Sequence, residues 1–159
     1  MKRINKSKAF EGSQEVYRHF SKQLNCEMNF AIYIPERAKE RRLPVLWYLS
    51  GLTCTHANVM EKGEYRRIAS ELEMIILCPD TSPRGADVPD EPENWQFGSG
   101  AGFYLDATEK PYSDNYRMYS YISQELQSVA IESFPIDPSR QGITGHSMGG
   151  HGALTIALK

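Results

Sequence analysis

Apolar residues along this chain fall into short runs with two different spacings. Residues 15–21 set Val16, Tyr17 and Phe20 among polar neighbours, and residues 29–34 read Asn-Phe-Ala-Ile-Tyr-Ile before Pro35. Both stretches predict strands that open the chain in antiparallel fashion. Residues 36–43 are a charged connector. Residues 44–50 (Pro-Val-Leu-Trp-Tyr-Leu-Ser) form a continuous apolar run bounded by Pro44 and Gly51. That is the pattern of a strand buried on both faces of a mainly parallel sheet. Tyr65, Ile68, Ala69 and Leu72 recur at helical spacing and predict a short helix over 64–73. Residues 74–78 predict the next buried strand, stopped by Pro79.

Residues 79–113 are rich in Pro and Gly and predict a long loop. Loops beyond about 12–15 residues in a compact domain are usually functional or disordered. The glycines and aromatics of 97–104 favour an ordered wall. A helix is predicted from about Asn115 to Ser133, with Asp114 as its N-cap and Met118, Ile122, Leu126 and Val129 on one apolar face. Residues 141–145 predict a short strand and 147–159 a helix. Buried strands alternating with helices define an α/β class with a mostly parallel sheet.

Composition narrows the class further. The chain has 159 residues, 40% hydrophobic and 24% charged, with 12 glycines and a net charge of −2. These values exclude a disordered chain, a collagen-like repeat and a coiled coil, and they give no basic field for nucleic acid. Residues 1–42 carry net +5 and the remainder net −7, but opposite signs alternate in 39–42, as on a solvated loop. The longest apolar runs, Val45–Leu49 and Met74–Cys78, are far below the roughly 20 residues that cross a membrane. The charged N-terminus has no apolar segment after it and is not a signal peptide. Three widely spaced cysteines, Cys26, Cys54 and Cys78, fit a reducing compartment better than a disulfide framework. No metal-ligating spacing is present.

The chemistry concentrates at Gly145-His146-Ser147-Met148-Gly149-Gly150. This is a G-x-S-x-G pattern between a predicted strand and a predicted helix, the context in which the pattern acquires mechanical meaning. A sharp strand-to-helix turn strains its apex residue and lifts that side chain above the sheet. Small residues two positions before and after let strand and helix approach. Ser147 is the expected nucleophile. A serine needs a base held by a third group, in the chain order Ser, acid, His for this fold. The twelve residues after Ser147 hold no Asp or Glu. Of the local histidines, His146 and His151 are poorly placed, His56 follows the Gly51 loop, and His19 is expected at the surface. Two N–H groups are expected to face the developing oxyanion: those of Met148 and of Leu52, which follows the turn at Gly51.

Five segments together resemble one family. They are 51–55 (Gly-Leu-Thr-Cys-Thr), 79–85 (Pro-Asp-Thr-Ser-Pro-Arg-Gly), 100–108, 118–121 (Met-Tyr-Ser-Tyr) and 145–154. In this order they are similar to the S-formylglutathione hydrolases, or esterases D. The resemblance implies an α/β-hydrolase fold and cleavage of S-formylglutathione, a small-molecule substrate, to formate and glutathione, with side activity on small carboxylesters. It implies no metal or organic cofactor, a cytoplasmic setting and a homodimer. It places Ser147 as nucleophile, Leu52 and Met148 as oxyanion donors, and Cys54, Asn58, Lys62, Trp95 and Phe103 around the substrate. A formyl group calls for a tight, small acyl pocket. The acidic residues Asp87, Asp90, Glu91 and Glu93 are expected to be solvated.

Gln96 stands where the family commonly has Asp, and His56, Ala57 and Val59 also depart from its usual residues. The family continues well past the nucleophile helix, so 1–159 is expected to be the N-terminal part of a single α/β-hydrolase domain, truncated after that helix and lacking the triad's acid and histidine. The strand at 141–145 would then have an unpaired edge. A broad carboxylesterase or acyltransferase and a non-catalytic interaction module are the competing readings.

Overall fold

A computed structural model describes residues 1–159. Six strands form one mixed sheet: β1 (Lys2–Lys8), β2 (Gly12–Ser21), β3 (Cys26–Pro35), β4 (Leu43–Leu49), β5 (Ile75–Pro79) and β6 (Ile136–Gly145), in the spatial order β1-β2-β3-β5-β4-β6. The first three strands and the β3–β5 pair are antiparallel; β4 pairs in parallel with β5 and with β6. The helices are α1 (His56–Lys62), α2 (Arg66–Glu71), α3 (Met118–Ser120), α4 (Gln127–Ser133) and α5 (Met148–Ala157).

The central strands are apolar at every position because both of their faces are covered. Successive side chains on a strand point to opposite faces. Val45, Trp47 and Leu49 of β4 and Ile75 and Leu77 of β5 join a core with Met118, Tyr121, Leu126, Met148 and Ala153. Their neighbours Ile76 and Cys78 pack the other face with Ala69, against the partly buried Leu46, Tyr48, Val59 and Tyr65. Helices therefore cover both sides, with α1 and α2 on one and α3, α4 and α5 on the other. Burial pushes the Cys78 thiol up to about 12, so it behaves as a small apolar group.

Several expectations need correction. The N-terminus forms β1, a strand with every residue exposed, which carries no apolar alternation to reveal it. His19 is buried rather than at the surface: its Nε2 lies 3.0 Å from the Tyr121 hydroxyl, while Phe20 beside it is exposed. The helix expected from Asn115 begins at Met118. Residues 112–114 form a 3-10 turn, and Asp114 is not an N-cap. Asp106 substitutes from a distance by accepting the Ser120 N–H (3.0 Å) and hydroxyl. Between α3 and α4 the helix widens to a π-helix over Tyr121–Leu126. β6 starts at Ile136, five residues earlier than expected, because Ile136 pairs with Leu43 of β4; the irregularity before the Val45–Gln141 pair holds Asp137, which accepts from Ser139 and Arg140. Helix α1 was not legible from spacing.

Candidate active site

The site forms beyond the C-terminal ends of β4, β5 and β6, where open α/β sheets place their ligands. Ser147 joins β6 to α5 at φ 54°, ψ −120°. That is positive-φ backbone for a non-glycine residue, costing on the order of 1–3 kcal/mol unless the surroundings impose it. They do. The His146 N–H donates to the Leu49 carbonyl at 3.1 Å, and the Gly149 N–H donates to the His146 carbonyl at 2.8 Å. A Cβ at Gly145 would lie 2.2 Å from the Gly149 carbonyl oxygen, and one at Gly149 only 1.9 Å from that of Leu49. The glycine spacing thus allows two main chains to touch. Ser147 is exposed, and its hydroxyl makes no hydrogen bond within the chain.

The loop after β4 lies against the apex: a Cβ at Gly51 would be 3.3 Å from Ser147 Cβ. The polar groups flanking Leu52 are engaged. Tyr104 donates its hydroxyl to the Ser50 carbonyl (2.9 Å), the Thr53 N–H donates to Gly100 (3.0 Å), and the Cys54 N–H donates to Gly51 (3.2 Å). Thr53 is held at φ 65° by this arrangement. The Leu52 N–H has no partner in the chain. Met148 is the first residue of α5, so its N–H lies among the donors that a helix N-terminus leaves unsatisfied. The structure thus offers two amide hydrogens around the apex serine, at the positive end of α5.

Two recesses flank this loop. One, of about 690 Å³ and largely apolar, is lined by Leu52, Trp95, Phe97, Phe103, Leu105 and Tyr112 among others. Trp95 and Phe103, in the aromatic wall of 95–112, are themselves exposed. The other, of about 250 Å³, is bordered by Gly51, Asn58, Lys62 and His146. Asn58 has a second task, since its Oδ1 accepts the Thr55 N–H at 2.8 Å in the capping box of α1. Cys54 is half-buried and borders neither recess; its carbonyl is held by Thr81 and Arg84.

No histidine side chain bonds to the Ser147 hydroxyl; His151 meets Ser147 only through the main chain, its N–H donating to the Ser147 carbonyl at 3.2 Å. His151 is exposed and reaches Thr155 at 3.5 Å, and His146 is exposed beside the apex. His56 faces Asp80 at 3.8 Å. In the acidic loop, Asp90 accepts the Ser99 N–H (2.7 Å) and Glu91 accepts the Tyr112 hydroxyl, so both order the wall as well as meeting solvent. The spacing of apolar residues could not reveal Tyr104, Thr81 or Arg84 as supports of the site. Polar residues directly after a buried strand were the available signal.

A strained serine at a strand-to-helix elbow, on a doubly covered mixed sheet whose β5-β4-β6 core is parallel, defines an α/β-hydrolase. The model of the Esterase family matches residues 21–159, and the chain belongs to that family. S-formylglutathione hydrolases from Bos taurus and from Paracoccus denitrificans (strain Pd 1222) are each 50% identical to it, covering 100% and 98% of this chain but 56% and 55% of their own lengths. A solved S-formylglutathione hydrolase structure from Agrobacterium tumefaciens is 63% identical, with TM-score 0.98 over 99% of this chain and 57% of that one. A ferulic acid esterase at 22% identity, TM-score 0.68, shares the fold. The chain spans about half the length of the curated relatives it matches. No helix is long and apolar enough to cross a membrane.

Proposed function

We propose that residues 1–159 are the N-terminal part of a single α/β-hydrolase domain acting as a serine thioesterase on S-formylglutathione, cytoplasmic and dimeric. The observation that carries this reading is the strained, exposed Ser147 beside the unpartnered Leu52 N–H. Ser147 Oγ attacks the formyl carbonyl while a general base removes its proton. The carbonyl π electrons move to oxygen, and the Leu52 and Met148 N–H groups receive the oxyanion. Collapse breaks the C–S bond, and glutathione leaves with the proton. A thiol, with a reference pKa near 8.5, is a good leaving group at neutral pH. Water then cleaves the formyl-serine to formate. The base and its acid come from sequence outside 1–159, within the half of the relatives' length that this chain does not span. Around the substrate stand Cys54, Asn58, Lys62, Trp95 and Phe103.

The competing reading is a broad carboxylesterase of the same fold. Relative kcat/KM on S-formylglutathione and on short aryl esters separates the two. The intact mass of the full-length protein, its turnover of S-formylglutathione and the loss of that turnover in Ser147→Ala test the primary reading. Undiminished turnover in Ser147→Ala overturns it.

A further inference from the structure

The segment after β5 is tied to the segment after β4 by a charged clamp. Arg84 donates through Nε to Asp80 Oδ1 at 3.1 Å and through Nη2 to the Cys54 carbonyl at 3.1 Å. Thr81 donates its hydroxyl to the same carbonyl, and its N–H to Asp80 Oδ1 at 2.7 Å. Asp80 and Thr81 are buried, and the Asp80 N–H is anchored to the Asn29 carbonyl of β3 at 3.1 Å. Ser82 extends the clamp: its hydroxyl accepts the Gly100 N–H at 2.7 Å, and the Gly100 carbonyl takes the Thr53 N–H. Tyr104 holds the other end at Ser50.

Each end of the 50–54 loop is thus held by side chains from the segment after β5, and the Leu52 N–H is left over between them. An oxyanion donor is effective only when its direction is set before charge develops. A carbonyl taking two donors, one of them a guanidinium, is held more firmly than a neutral pair would hold it. We propose that Arg84 and Thr81, oriented by Asp80, are positioning residues that preset the Leu52 N–H toward Ser147. This rests on the hydrolase reading above. Lysine cannot replace Arg84, because one ammonium does not span both acceptors in the guanidinium's planar geometry.

The test uses the full-length protein. Wild type and Ser147→Ala first establish turnover, so absent wild-type turnover counts against the hydrolase reading alone. Arg84→Lys and Thr81→Val, checked for folding by circular dichroism, are expected to lower kcat by about 10- to 100-fold, in line with small displacements of catalytic groups. KM should stay within about twofold in both, since the clamp does not touch ground-state substrate. Thr81→Ser, which returns the hydroxyl, should recover most of the loss. Amide hydrogen exchange supplies an arm independent of activity: peptides covering 50–55 should exchange faster in both variants, while those covering 145–152 should not. Folded variants with unchanged kcat, or with lowered kcat but unchanged exchange at 50–55, overturn the proposal.

Discussion

Gly149 can be nothing else. A Cβ there would meet the carbonyl oxygens of Leu49 at 1.9 Å and Ser50 at 2.7 Å, main-chain atoms that no rotamer change can move. Gly149→Ala is expected to abolish soluble expression or to lower the melting temperature by more than 10 °C in a thermal scan, roughly the effect of 3–5 kcal/mol on a domain of this size. Gly150 is the matched control. Its nearest atom would be 3.4 Å away, an ordinary contact, so Gly150→Ala should be neutral or gain up to about 1 kcal/mol of helix propensity. Two buried titratable residues make the fold acid-sensitive. Burial, the largest influence, opposes the Glu15 charge, yet hydrogen bonds from Tyr17, Ser13 and Lys6 hold its pKa down at about 2. That stability is complete above the reference value of 4.5 and is lost as pH falls from there toward 2. Burial also lowers the His19 pKa below 6.5, with Glu125 opposing. Its contribution is complete above 6.5 and lost as pH falls below it, because the unfolded state binds the proton more readily. Melting temperatures between pH 8 and 5 should fall, and His19→Asn should flatten that slope. An unchanged slope in this variant would remove His19 from the account.

At the scale of elements, the sequence announces what is buried on both sides and conceals what is not. Strands β4 and β5 were legible because each face has its own helical layer, so apolar residues run on without a break, and β3 was legible over the apolar stretch that follows Asn29. β1 was silent because every one of its residues is exposed. β2 misled: His19, expected at the surface, is buried with Ser21 by Tyr121 and Glu125, while the apolar Phe20 on the opposite face is exposed. The helix start at Met118 was hidden because its cap is Asp106, twelve positions upstream and brought near by an isolated bridge to Arg117. Local cap signals cannot reveal such a partner. Asp106→Ala is therefore expected to cost about 1 kcal/mol, as loss of an N-cap does, read as a lowered denaturation midpoint with an unchanged slope. Of the site, the elbow and its glycines were legible as a motif, and Leu52 by its place after a buried strand. The clamp of Asp80, Thr81 and Arg84 was not, because it is made by bringing together two loops that are distant in sequence.

Across the whole molecule, β6 is the last strand of the sheet in this chain, with β4 on one side and no strand on the other. Unpaired strand edges template pairing with other chains. Residues 1–159 by themselves are expected to self-associate along β6, shown in sedimentation velocity as species heavier than the monomer. A single monomeric boundary at tens of micromolar would count against this. The opposite side of the sheet has another character. β1 lies four strand positions from β4, about 19 Å at the usual spacing, and its seven residues, four of them Lys or Arg, all face solvent. A dye, a bead or a fused protein attached ahead of Met1 would therefore hang from the margin farthest from Ser147. Met1 adjoins the end of β1 that is level with Asp80, so such a tether would leave from the same rim as Ser147, across the width of the sheet.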